Sequence, residues 1–163
     1  MITRILGWTT LALVACSLSV SVAAAASPAV TVVDAPGSPV HLEQVKVLNS
    51  EAAPMVLLYA AVNQTDAALD QFTVTVFVFD KDKRLKARQV APGRRSLNAK
   101  ESKFSAMVLD VGTIDATDTL LAGVDQAQKV GSEDWWRADL RTIAEAQMKP
   151  AAPAAEPAGG RRR

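Results

Sequence analysis

The chain has 163 residues, 49% of them hydrophobic and 5% aromatic, with a formal net charge of +1 and one cysteine. That length supports one domain with its own apolar core, and the charge supplies no overall field to draw in nucleic acid. A single cysteine excludes an internal disulfide framework.

The chain opens on the pattern of a secretory leader. Arg4 supplies a positive start, an apolar stretch follows, and Ala24 and Ala26 give the small-residue spacing that a signal peptidase needs. Cleavage is expected after Ala26, so that the mature chain begins at Ser27. The alternative lies in Leu13-Val14-Ala15-Cys16, which resembles a lipobox and would lipidate Cys16 as a membrane anchor. The residues after Cys16 stay apolar where a polar tether would be needed, which favours cleavage. A retained membrane span is disfavoured because Ser, Thr and Ala dilute the apolar run. Loss of the leader removes Arg4 and Cys16, leaving no cysteine and no net formal charge. The fold must then rest on its apolar core alone.

A flexible lead is expected over residues 27–39, rich in Pro and Gly. Short apolar runs broken by turn signals then predict strands at residues 30–33, 42–48, 55–62, 71–79, 84–90, 103–109 and 120–130. The clearest is the fourth: Phe72, Val74, Val76 and Val78 alternate with Thr73, Thr75, Phe77 and Phe79. Both faces carry apolar weight near its end, as expected of a central strand. In the third, Val56, Leu58, Ala60 and Val62 share one face and Leu57 and Tyr59 the other. The third and fourth strands are expected to pair as neighbours across Asn63-Gln64-Thr65-Asp66.

Beyond Val130 the period changes. Ser132 reads as the cap of a helix over residues 132–149, with Trp136, Leu140, Ile143 and Ala144 at helical spacing and Glu133 and Asp134 at its positive end. Residues 150–163, rich in Pro and Ala and ending in Arg, have no periodicity and read as a disordered tail. The expectation is an all-β, immunoglobulin-like two-sheet sandwich over residues 40–131 with one C-terminal helix. It lacks the Cys and Trp pattern of antibody domains.

Three stretches carry a more specific likeness: Val62-Asn63-Gln64-Thr65, then Val76-Phe77-Val78-Phe79-Asp80, then Leu97-Asn98-Ala99-Lys100-Glu101-Ser102-Lys103-Phe104. In this order they resemble the FxLYD type of immunoglobulin-like domain of bacterial envelope and secreted proteins. Val76 stands where that pattern has its leading Phe, Phe79 where it has Tyr, and Ala99-Lys100 where it has Pro-Gly. The resemblance covers residues 51–110 and implies an accessory or interaction module, with no catalytic residue to carry over.

Between Lys81 and Lys103 the basic residues outnumber the acidic ones nine to two. Strand alternation predicts that Arg84, Lys86 and Arg88 form a row about 7 Å apart. The row is either the solvated side of an edge strand beside the hairpin turn Asp80-Lys81-Asp82-Lys83, or, with Arg94 and Arg95, a docking surface for an acidic protein patch, an anionic envelope polymer or lipid head groups. No aromatic residues are interleaved to stack on nucleic acid.

Asp110, Asp115, Asp118 and Asp125 lie in a segment without a basic residue. They match no calcium loop; turn capping is the simpler role, and a third possibility is that they meet the basic row of a second copy in a homodimer. Trp135 and Trp136 precede Arg137. Trp136 is expected in the core on the face of Leu140, leaving Trp135 as the better contact for a sugar or a partner. His41 has no second imidazole for a metal, and Asn63-Gln64-Thr65 is a glycosylation sequon whose turn role suffices.

No phosphate loop, nucleophile motif or histidine pair is present. The reading is therefore a non-catalytic, cofactor-free exported interaction module, periplasmic or secreted, of the cell envelope. Its alternatives are a lipid-anchored periplasmic component held by Cys16 and, last, an enzyme with no recognisable motif.

Overall fold

The structure, a computed structural model, describes residues 27–50, 53–91 and 95–149. The leader with Cys16, the tail 150–163 and Arg94 lie outside them. Eight strands and one helix follow in the order β1 (Ala29–Val32), β2 (Val40–Ser50), β3 (Ala53–Asn63), β4 (Leu69–Phe79), β5 (Leu85–Val90), β6 (Ser102–Val108), β7 (Thr119–Lys129), β8 (Trp135–Arg137) and α1 (Leu140–Met148).

The strands form two sheets. One has the order β2-β3-β6; the other has the order β1-β7-β4-β5, with β8 also pairing β7. The β2–β3 and β4–β5 hairpins stay within a sheet, while the β3–β4, β5–β6 and β6–β7 connections arch between sheets. This is an all-β, immunoglobulin-like two-sheet sandwich. Its main core lies between the sheets: Leu42, Val47, Leu57, Tyr59 and Met107 meet Phe72, Val74, Val76, Val78, Leu120 and Val124.

β3 and β4 do not pair, contrary to the alternation reading. β3 pairs β2 and β6, and β4 pairs β5 and β7. The reason is Asn63, which is buried (1% exposed) where the chain leaves β3. Its Nδ2 donates to the carbonyls of Ala67 and Asn98, both at 2.8 Å. Its Oδ1 accepts from the Thr65 backbone N–H at 2.9 Å and the Thr65 hydroxyl at 2.8 Å. The amide group is thereby fully used in holding an arch from one sheet to the other, which leaves no free Nδ2 hydrogen for a glycan.

The lead segment contains a strand. β1 runs parallel to β7, Ala29 to Val32 against Thr119 to Ala122, and the Val33 N–H extends the pairing to the Ala122 carbonyl at 2.8 Å. Val33 and Ala35 are buried beyond it. This packing requires Gly123: an added Cβ would lie 2.4 Å from the Val33 carbonyl oxygen and 3.0 Å from a Leu140 methyl.

The terminal helix is shorter than the spacing predicts. β1 covers only the first part of the β7 edge, so Trp135–Arg137 pair with Gln126–Gln128 farther along it. Ser132 caps a turn, accepting from the Asp134 N–H at 3.1 Å. Asp139 is the actual N-cap: its side chain accepts from the Thr142 N–H at 3.1 Å and the Thr142 hydroxyl at 2.6 Å. These bonds hold the Asp139 carboxyl below the usual aspartate range. α1 then lays Leu140 and Ala144 on Phe77, Phe79 and Leu121, the outer face of the larger sheet.

Candidate functional site

Part of the basic burst is compensated within the chain. Asp80 closes the β4–β5 hairpin by accepting from the N–H groups of Asp82 and Arg84, both at 2.9 Å. Arg84 lies just before β5, exposed. Val78 then opposes Ala87 while Phe79 opposes Leu85, leaving Lys86 as the extra residue of a bulge. The even row expected of Arg84, Lys86 and Arg88 is therefore not formed.

Both strand cations meet the acidic segment of their own chain. Lys86 Nζ lies 2.8 Å from Asp115 and 2.8 Å from Asp118. Arg88 lies 3.2 Å from Asp125, with its guanidinium 5.9 Å from the Phe77 ring centre. The pairing that the sequence left open for a second copy is made within one. Asp118 is the pivot, its side chain 2% exposed. Burial acts against its charge; the Lys86 ammonium and the Asp115 backbone N–H together outweigh that and hold its pKa below the ordinary value. Lys86 is raised in turn, first through its bonds to Asp115 and Asp118. Asp125 adds the buried Thr75 hydroxyl at 3.0 Å, while its Oδ1 is buried without a partner among the described residues.

The other sequence candidates separate. Asp110 takes no part in the acidic grouping: its backbone N–H donates to Gln89 Oε1 at 2.8 Å. Arg95 donates to the Ala91 carbonyl at 3.4 Å. His41 Nδ1 lies 2.7 Å from Asp34. Among the described residues no group of three His, Cys, Asp or Glu is placed to hold a metal ion.

Trp135 and Trp136 are both half-buried on β8 and both line a cleft of about 380 Å³ at one end of the sandwich. The cleft also takes in Gly37, Pro39, Thr65, Leu69, Lys129, Ser132 and Asp134. Trp136 is half-buried and packs against both apolar clusters from a strand, not from the helix. Arg137 lies 6.0 Å from the Trp135 ring centre, close enough for a cation–π contact that steadies the ring.

The sequence reading missed a third surface. On the outer face of the three-stranded sheet the cross-strand register sets Leu48, Val56 and Val108 in one row, Lys46, Leu58 and Ala106 in the next, and Glu43, Ala60 and Phe104 in a third. Phe104 is 69% exposed, Val108 53% and Leu48 44%. The larger sheet has α1 over its outer apolar residues; no described element covers this face. The signal was present in the alternation Phe104-x-Ala106-x-Val108. It could not be read without knowing which face of β6 meets Met107 and the core.

β6 is also an edge. Leu109 N–H donates to the Met55 carbonyl and Asn63 N–H to the Glu101 carbonyl, at 2.8 and 2.9 Å, so the odd-numbered residues of β6 bond to β3. Alternation in an antiparallel ladder then turns the backbone groups of Ser102, Phe104, Ala106 and Val108 to the free side. Gln89 confirms the direction by donating to the Val108 carbonyl at 2.9 Å.

Comparison with protein-family models, with curated proteins and with solved structures finds no match for this chain.

Proposed function

We propose that this protein is a non-catalytic, exported interaction module of the bacterial cell envelope, related to the FxLYD type of domain. It takes up an extended segment of a partner protein along β6 and the apolar face beside it. One observation carries the reading: Phe104 is 69% exposed on an edge strand whose outward backbone groups are unpaired at Ser102, Phe104 and Ala106 among the described residues. An added strand would satisfy those groups, and the row Leu48, Val56 and Val108 would receive its alternate side chains. The basic strip is a weaker candidate, because Lys86 and Arg88 already spend their charge on Asp115, Asp118 and Asp125. Export rests on the leader, and cleavage after Ala26 would leave a mature chain whose mass begins at Ser27 without lipid.

The edge is tested by Ala106→Pro and Phe104→Asp in protein used to capture partners from a native envelope fraction. The Pro substitution removes an outward N–H and no bond to β3, so the fold should persist. A partner retained by wild type and lost from both variants supports the edge. The same partner retained equally by all three contradicts it, as does loss of the interaction on neutralising Arg84 and Arg95 alone. Self-association of wild type in sedimentation, abolished by Ala106→Pro, would replace the foreign partner with a second copy.

A further inference from the structure

The end cleft has a chemistry of its own, separate from the β6 edge. Trp135 and Trp136 line it together with the exposed charged residues Lys129 and Asp134. Neither of these side chains makes an ion pair or hydrogen bond among the described residues. The Thr65 hydroxyl donates to Asn63 Oδ1 and to the Ala67 carbonyl, and Ser132 Oγ accepts from the Asp134 N–H. The lining therefore combines two tryptophans with one ammonium and one carboxylate that have no partner among the described residues, and the two charges cancel.

From this geometry we infer that the cleft binds a neutral saccharide, one or two pyranose rings of a glycan chain. A pyranose combines an apolar C–H face, which suits an indole, with a rim of hydroxyls that donate to Asp134 and accept from Lys129. A polyanion or polycation gains nothing from two opposed charges that cancel. A flexible peptide would lose more conformational freedom on binding than a rigid ring does. The volume of about 380 Å³ falls within the usual range of small-molecule clefts, about 300 to 1,000 Å³. Arg137 against Trp135 holds the outer platform in place before a ligand arrives.

The test is titration of the full chain with two neutral tetrasaccharides, chitotetraose and cellotetraose, followed by the indole N–H resonances of Trp135 and Trp136. A zwitterionic dipeptide, Ala-Ala, and polygalacturonate are the comparison ligands. Saturable shifts with at least one tetrasaccharide are expected. Affinity should fall at least tenfold in Trp135→Ala and in Asp134→Asn, recover partly in Trp135→Tyr, and stay unchanged in Phe104→Ser. An unchanged amide spectrum shows that each variant is folded. Absence of shifts with both tetrasaccharides, or equal affinity in Trp135→Ala, overturns the assignment. Trp135-dependent binding of the dipeptide or the polyanion in place of the sugars overturns it as well.

Discussion

Lys86 shows how one backbone irregularity decides whether a charge is a binding group or a brace. Read as regular alternation, it stands in a solvent-facing row; displaced by the bulge opposite Val78 and Phe79, it reaches the buried carboxylate of Asp118. A bulge leaves no mark in the spacing of charges, so this pairing was not legible, whereas the turn role of Asn63 was. The pairing has a pH signature. The folded-state pKa of Asp118 is depressed, so its contribution is present above the unfolded value near 4 and lost as pH falls through the folded value. The raised Lys86 contributes below its unfolded value and loses that contribution as pH rises through the folded one. Asp118→Asn should be about 2 kcal/mol less stable near neutral pH, with the gap to wild type closing in acid. Urea unfolding of both proteins across the acid range checks this; a gap that stays constant below pH 4 would place the stabilisation elsewhere. Lys86→Ser should also destabilise, by stranding Asp118, while Arg84→Ser should change stability by less than about 0.5 kcal/mol.

Strands with strong alternation were legible as elements, and their partners were not. β4 reads as central because both faces are apolar, and it is buried throughout the half that ends in Phe79. Its neighbours depend on the arch at Asn63, a long-range bond to Asn98 that no local pattern announces. The helix was misjudged at its start because Trp136, Leu140, Ile143 and Ala144 fit helical spacing, yet the unpaired end of β7 claimed Trp135–Arg137 as a strand first. β1, α1 and β7 meet at Gly123, where no side chain fits between the Val33 carbonyl and Leu140. Gly123→Ala should lower stability by about 2 kcal/mol and unseat β1, so that amides 30–33 exchange much faster while those of β2 and β3 keep their protection. Unaltered exchange at Val33 would show that the junction yields without cost.

At the scale of the molecule the two outer faces are unlike. One carries a second apolar cluster in which Leu140 and Ala144 of α1 meet Val33, Ala35, Phe77, Phe79 and Leu121; the other leaves Leu48, Phe104 and Val108 exposed. Contiguous exposed apolar residues mark interaction surfaces, and here they lie on or beside a strand whose outward backbone groups at Ser102, Phe104 and Ala106 are unpaired among the described residues. The most direct measurement places a photoreactive phenylalanine analogue at position 104 or, as the control, at Thr142 on α1, in cells carrying the native envelope. Adducts from position 104 that disappear in the Ala106→Pro background, with none from position 142, are expected. Equal adducts from both positions, or adducts at 104 that survive Ala106→Pro, would contradict docking along β6.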